Sequence, residues 1–510
     1  MVARLVTPAV MVLGTASSVG KSLIAAAVCR ILSDRGLRVA PFKAQNMSLE
    51  AAVTPDGAEI GRAQFVQACA ARRTPVAEMN PILLKPTGER RSQVVLLGRV
   101  LGDEDAWDYH RRRTAELFPV VLDAYSRLAR DADVMVIEGA GSPAEINLRD
   151  GDIVNMRMAE AANARCLLVA DIDRGGAFAA LVGTLALLEP LERARIVAFA
   201  LNRFRGDAAL LAPGVTAIER REAVPCAGVI PWLADLDIED EDRYAAQPWP
   251  AAWDDETGAR RRLRIAVLDF PHGSNLSDAE PLRREPSLAL RMVRHPEALR
   301  DADVVILPGS KSTLADLRWM HEAGLAATIR EFAKRQRPIV GLCGGYQMLG
   351  RAIDDPHGVE GAESGEGLGL LDASTALNAR KTTRRVHGTT LGAPDASAAF
   401  EGYEIHFGVT RTRELPFARL RSAAESWDDG AVSADGLIVG TYVHDLFAVD
   451  ALRHAFVRSW RASRGLEAAR DLVRRPTLDA RIDRWAAHVA AHLDVDRVLG
   501  DFTARAVTRA

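Results

Sequence analysis

Aromatic residues make up only 5% of this 510-residue chain, and cysteines number five. Cys29, Cys69, Cys166, Cys226 and Cys343 are scattered, with no pair at metal-ligand spacing. That excludes a disulfide scaffold and a cysteine-held zinc site, and it fits a reduced, cytoplasmic chain. Charge of one sign is also missing: the formal net charge is −3, so no basic field argues for nucleic acid as a partner. The clusters Arg111-Arg112-Arg113 and Arg260-Arg261-Arg262 read as solvated surface and linker. No apolar run is long enough to span a bilayer, and the apolar stretch through Val12 and Leu13 enters a Gly-rich loop with no cleavage pattern. Neither membrane insertion nor export is expected. Internal repeats and low-complexity tracts are lacking as well.

What is present points to an α/β protein. Apolar residues reach 48%, and the length exceeds what one core can hold, so two or three domains are expected. The chain is organised around Gly341-Leu342-Cys343-Gly344-Gly345-Tyr346-Gln347. An apolar run, Pro338 to Val340, precedes it as a buried strand, and Gln347, Met348 and Leu349 open a helix. A cysteine flanked by glycines between strand and helix has the form of a nucleophile elbow. The glycines permit the sharp turn, and the helix N-terminus favours a thiolate. Far downstream, Gly436 to Val443 reads as a strand ending in His444, a candidate base.

The N-terminal half carries a second chemistry. Ala9 to Leu13 is followed by Gly14-Thr15-Ala16-Ser17-Ser18-Val19-Gly20-Lys21-Ser22 and a helical stretch from Leu23. Strand, Gly-rich loop, Gly-Lys-Ser and helix is the order a phosphate-binding loop needs. Loop N–H groups from Thr15 to Gly20 would face the phosphates, Lys21 would reach the outer ones, and Ser22 would hold magnesium. The loop is one residue longer than the common form. Val134 to Ile137 is a buried strand tipped by Glu138, placed to bind magnesium directly or through water. ATP and Mg2+ are therefore expected here.

Buried strands at Leu37 to Phe42, Cys166 to Ala170 and Ile196 to Leu201 alternate with helical stretches, which implies a mainly parallel, doubly wound sheet. Lys43 to Asn46 follows one such strand, where open sheets bind ligands. Gly57 to Gln67 and Met79 to Pro86 read as loops. Periodicity collapses between Asp235 and Arg262, and Leu263 starts a second α/β series. The division expected is 1–235, a linker at 236–262, 263–455, and a helical extension at 456–510. In the second series, Gly309 and Ser310 in Pro308 to Ser312 would offer backbone N–H groups as an oxyanion hole beside Cys343. Leu314 to Arg335 reads as one long helical stretch, and Gly402 to His406 as a strand.

With both halves read, the sequence resembles the cobyric acid synthase family of cobalamin-biosynthesis amidotransferases, over nearly its whole length. The N-terminal loop resembles that of dethiobiotin synthetase-like ATPases, and Lys43 to Ser48, Glu59 to Gln64, Met79 to Pro86, Asp171 to Gly176 and Phe204 to Asp207 look like the family's own motifs. The C-terminal half is similar to class I glutamine amidotransferase domains, with Cys343 and His444 matching nucleophile and base. Most such domains place a Glu two residues after the histidine; here Leu446 stands there, so the group orienting His444 is unassigned. The resemblance implies glutamine as nitrogen donor and ATP-driven amidation, through an acyl phosphate, of the b, d, e and g carboxylates of cobyrinic acid a,c-diamide. A corrinoid is then the small-molecule partner, with oligomeric state open. Two alternatives stay open: the sister enzyme that amidates the a and c carboxylates, and a chromosome-partitioning type ATPase with a C-terminal binding module. The latter group carries a lysine five residues before the loop lysine, where this chain has Ala16.

Overall fold

The computed structural model describes residues 7–88, 90–238, 253, 257–361, 363–395, 397–422 and 424–500. Most of the expected linker, at 239–252 and 254–256, lies outside the described residues. Strand β1 (Ala9–Gly14) turns into α1 (Lys21–Asp34); β2 (Val39–Phe42), α2 (Arg62–Ala70), β3 (Val134–Glu138), β4 (Arg165–Asp171), β5 (Ile196–Phe204) and β6 (Cys226–Pro231) follow. The strands form one all-parallel sheet in the order β6-β5-β4-β1-β3-β2. Both faces are buried, as a parallel sheet requires: Ala9, Met11 and Leu13 pack on one side, Val10 and Val12 on the other. Winding runs one way from β1 to β2 and β3, then reverses to β4. The loop after β1 therefore opens at the switch point, where such sheets bind ligands.

Between β2 and β3 the chain adds a four-stranded sheet, which includes Gln45–Met47, Ile82–Pro86 and Arg91–Leu96, and a hairpin of Ala51–Val53 with Glu59–Gly61. This corrects the reading of Gly57 to Gln67 and Met79 to Pro86 as loops. Pro81 precedes the Ile82–Pro86 strand and Pro86 is its last residue, so neither interrupts it, and its ladder partners come from Ser92–Leu96. Pairing with a distant strand supplies what local propensity does not.

The second series comprises β7 (Leu263–Leu268), β8 (Leu288–Val293), β9 (Val304–Leu307), α3 (Thr313–Glu322), α4 (Leu325–Lys334), β10 (Ile339–Leu342), α5 (Gly344–Leu349), β11 (Ala373–Thr390), β12 (Ala399–Thr412), β13 (Ala431–Val432), β14 (Ile438–Thr441) and β15 (Val443–His444). Its main sheet runs β8-β7-β9-β10-β14-β13 and is parallel except for the last pair. The stretch expected as one long helix is two, broken at Gly324 with φ 75°. The 18-residue β11 and 14-residue β12 form a long antiparallel hairpin, of which only residues 402–406 were legible as strand. β15 pairs with β12 and carries His444 to that second sheet.

Helix α6 (Asp450–Ser463) packs Phe456 and Trp460 into the second half's core and runs across residue 455. Helix α7 (Leu478–Ala490), capped by Thr477, returns to the first half. Its Ile482, Trp485 and Val489 join Ile24 and Val28 of α1 in one cluster. Trp485 Nε1 donates to the Leu23 carbonyl at 2.7 Å, and the fully buried Arg30 is paired with Asp479 and Asp483. No helix among the described residues is long and apolar enough to cross a membrane.

Candidate active sites

Cys343 sits between β10 and α5 with φ 51° and ψ −107°. The turn is tight enough that a Cβ on Gly345 would lie 2.1 Å from the Leu307 carbonyl oxygen. A Cβ on Gly344 would lie 2.9 Å from the Ser310 backbone nitrogen. The Gly309–Ser310 strand, paired with Gly273–Ser274, thus runs directly beside the cysteine. The Cys343 thiol faces the Ile405 carbonyl at 3.5 Å. Gln347, one turn along α5, is buried, and its Oε1 has no hydrogen-bond partner.

His444 is brought to Cys343 by β15 and is 1% exposed. Its Nδ1 lies 2.7 Å from Asp278 Oδ2, while Asp278 Oδ1 accepts the Asp445 N–H at 2.8 Å. Tyr403 stacks on the imidazole with centroids 5.2 Å apart. Burial alone would push the imidazole pKa down, but the Asp278 charge and hydrogen bond, with the Cys343 contact, raise it to about 10. The protonated form is therefore the resting one at neutral pH. Asp278 supplies the orienting carboxylate that the sequence left unassigned, and Leu446 is core. Sequence reasoning missed Asp278 because 166 residues separate it from His444. The one available signal is the polar run Gly273 to Asp278 soon after the buried strand β7, the end where open sheets hold ligands.

At the other site, Gly20 takes φ 94° at the start of α1, and Asn202 Nδ2 holds the loop through the Val19 carbonyl at 2.8 Å. Thr15 N donates to the Val169 carbonyl. Lys21 Nζ lies within 2.9 Å of the Ala16 carbonyl and 3.2 Å of the Gly141 carbonyl. Ser22 Oγ donates to Glu138 Oε1 at 2.6 Å, and Lys43 Nζ to the same oxygen at 2.9 Å. Gln64 and Gln67 donate to Glu138 Oε2 at 3.0 and 2.6 Å. Burial would raise the Glu138 carboxyl, but Lys43 and these hydrogen bonds hold it below its ordinary range. Lys21, Ser22 and Glu138 thus meet at one site, and Gly20 turns the loop into α1, whereas the Thr15 N–H, expected to face a phosphate, is taken by the strand beside it. Lys43, Gln64 and Gln67 are additions. A cavity of about 700 Å³ opens over Lys21, Ser22, Lys43 and Glu138 and extends past Ser142 to Arg157 and Arg195.

One segment touches both sites. Glu50 accepts hydrogen bonds from Leu276 N and Ser277 Oγ, beside Asp278, and burial pushes its carboxyl up to about 7. Ala51 N donates to Asn275 Oδ1 at 3.1 Å, and Tyr403 Oη donates to the Ala51 carbonyl at 3.0 Å. Arg62, at the start of α2, pairs with Asp445, the residue after His444. The same helix carries Gln64 and Gln67 to Glu138.

Comparison with known proteins finds a domain model for each half. The CobQ/CobB/MinD/ParA nucleotide binding domain matches residues 10–243, and the CobB/CobQ-like glutamine amidotransferase domain matches 264–452. The chain is similar to the cobyric acid synthase of Yersinia enterocolitica, 48% identical over 96% of this chain and 97% of that protein. It is similar to that of Sorangium cellulosum at 48% identity, over 96% and 98%. Among solved structures, PurLQS from Thermotoga maritima overlaps 38% of this chain and 96% of its own, at 17% identity and a TM-score of 0.30. The signal recognition particle receptor FtsY from Elizabethkingia anophelis, in complex with GDP, overlaps 44% and 57%, at 19% identity and a TM-score of 0.27.

Proposed function

The chain belongs to the cobyric acid synthase family, and from that premise we propose that it converts the b, d, e and g carboxylates of cobyrinic acid a,c-diamide to amides. It is a glutamine-hydrolysing amidotransferase with a P-loop nucleotide-binding half. The observation that carries the reading is the pairing, in one chain, of the Cys343–His444–Asp278 line with a phosphate loop closed over Glu138. In our reading, residues 1–235 ligate and 263–455 release ammonia, joined by 236–262; of the expected extension at 456–510, residues 478–499 pack against the first half and 501–510 lie outside the described residues.

Cys343 sulfur attacks the glutamine Cδ, and the oxygen that becomes negative faces the N–H groups of Gly309 and Ser310. Protonated His444 gives its proton to the departing nitrogen, ammonia leaves, and a glutamyl thioester remains. His444, now neutral, takes a proton from water, whose oxygen displaces the sulfur to give glutamate. Asp278 holds the ring in orientation throughout. In the other half, a corrinoid carboxylate oxygen attacks the γ-phosphorus of ATP and ADP leaves. Ammonia then displaces phosphate from the acyl phosphate. Lys21 and the loop N–H groups after Thr15 hold the phosphates, the Thr15 N–H being bonded to the Val169 carbonyl.

The residues fit magnesium. Ser22 would hold it directly, and Glu138, whose two oxygens already take four hydrogen bonds, through water. Bound there, magnesium would offset phosphate charge. The cavity beyond the loop, about 700 Å³ with both acidic and basic residues on its walls, leaves room for a large substrate. Mass spectrometry of products made from the a,c-diamide tests the assignment. Four successive replacements of OH by NH2 support it; an unchanged diamide, with two replacements starting from the free acid, overturns it.

A further inference from the structure

The cleft at Cys343 gathers three lysines. It is lined by Cys343, Lys311, Lys381 and Glu360 of the second half and by Lys85 of the first. Glu59 is already divided between two of the lysines. Its Oε1 pairs with Lys85 at 2.8 Å and its Oε2 with Lys381 at 2.6 Å, all three groups being buried. Burial would raise the Glu59 carboxyl, but Lys381 and Lys85 bring it down to about 2. Among the described residues, Lys311 has no carboxylate within ion-pairing distance; its Nζ lies 5.8 Å from the Phe407 ring centre, and Lys381 Nζ 5.6 Å from the same centre. Glu360 accepts the Leu314 N–H at 2.9 Å at the start of α3 and also draws on the Thr313 N–H and hydroxyl beside it. Three ammonium groups thus face Glu59, Glu360 and, beyond the cleft, Asp103, and Lys311 is the one that pairs with none of these among the described residues.

An ammonium group drawn partly out of water with no anion in contact is unfavourable until an anion answers it. An interdomain clamp would need only Lys85, Glu59 and Lys381. It gives no reason for Lys311 to line the nucleophile's cleft. A ligand with a carboxylate at one end and an amide at the other does give one.

Resting on the glutaminase reading above, we infer that Lys311, backed by Lys381 and by Lys85 of the nucleotide-binding half, receives the α-carboxylate of the glutamine donor, with Glu360 facing its α-ammonium. The donor site is then composite. Glutamine is held fully only when the two halves are docked, because Lys85 and Glu59 come from the half that consumes the ammonia.

Initial rates on the full chain test this, with glutamine, with 4-aminobutanamide (which lacks the α-carboxylate) and with an ammonium salt. Lys311→Met should raise the glutamine KM by about tenfold or more with kcat little changed, the scale of losing one charge-assisted contact. Its kcat/KM for 4-aminobutanamide should stay at the parent's value, and Lys311→Arg should recover most of the glutamine affinity. Ammonia-dependent amidation, which bypasses the cleft, should persist. A parent-like glutamine KM in Lys311→Met overturns the inference. So does an equal loss with glutamine and 4-aminobutanamide, or a parallel loss with ammonia. If the parent enzyme releases no ammonia from glutamine, the glutaminase reading itself fails instead.

Discussion

Cys343 keeps a backbone conformation that a non-glycine residue adopts only when its surroundings force it. The hydrogen bond from its N–H to the Thr441 carbonyl, at 2.8 Å, is part of that force. Cys343→Ser should abolish glutamine-dependent amidation and leave ammonia-dependent amidation intact, because the thiol serves ammonia release alone. A retained glutamine rate would remove Cys343 from the mechanism. Asp278→Asn should lower glutamine turnover on the order of 10²-fold or more, as loss of an orienting carboxylate does in other triads. The pair also fixes a pH signature. With the His444 pKa raised above its ordinary value to about 10, its stabilisation is complete below about pH 6.5 and is lost as pH rises through 10. The Tm gap between parent and Asp278→Asn should therefore narrow over that window; a gap constant with pH would show that the two groups do not share a proton-linked interaction. Lys21→Ala should remove amidation from both nitrogen sources, since neither bypasses carboxylate activation. Normal turnover with ammonia would displace the nucleotide site.

Helix α2 is nine residues long, yet it joins two chemistries. Arg62 pairs with Asp445, next to His444, while Gln64 and Gln67 hold Glu138 beside Ser22. The Arg62–Asp445 pair is one of the contacts that hold the glutaminase site against the nucleotide-binding half. Arg62→Gln should thus raise the glutamate released per amide formed above the parent ratio, with the ammonia-dependent rate less affected. An unaltered ratio would mean that the Arg62–Asp445 pair only docks the two halves. The segment Gly57 to Gln67 reads as loop in sequence because its strand and helix are short and polar. Their polar groups are satisfied by residues far along the chain, a pairing that no local pattern displays.

At the scale of the whole molecule, the C-terminal helices return to the beginning. Trp485→Ala should cost about 3–5 kcal/mol, the usual range for truncating a buried aromatic. The loss should appear in unfolding of the nucleotide-binding half, since Trp485 packs with Ile24 and Val28 and bonds the Leu23 carbonyl. A loss confined to the glutaminase half would contradict that packing. The sequence by itself determined the two α/β series, the phosphate loop at Gly14 to Ser22, Glu138 at its strand tip, and the Cys343 elbow with His444 far downstream. Those features are local: a buried strand, a glycine turn and a helix start occupy adjacent residues, so their geometry is written in order. Only the tertiary structure decided that Asp278 orients His444, that Glu50 and Arg62 reach across from the first half, and that Lys85, Lys311 and Lys381 meet at one cleft. Each of those depends on side chains far apart in the chain, 70 residues at the least, brought together by sheet order and by docking of the two halves. Spacing along the chain carries no record of either.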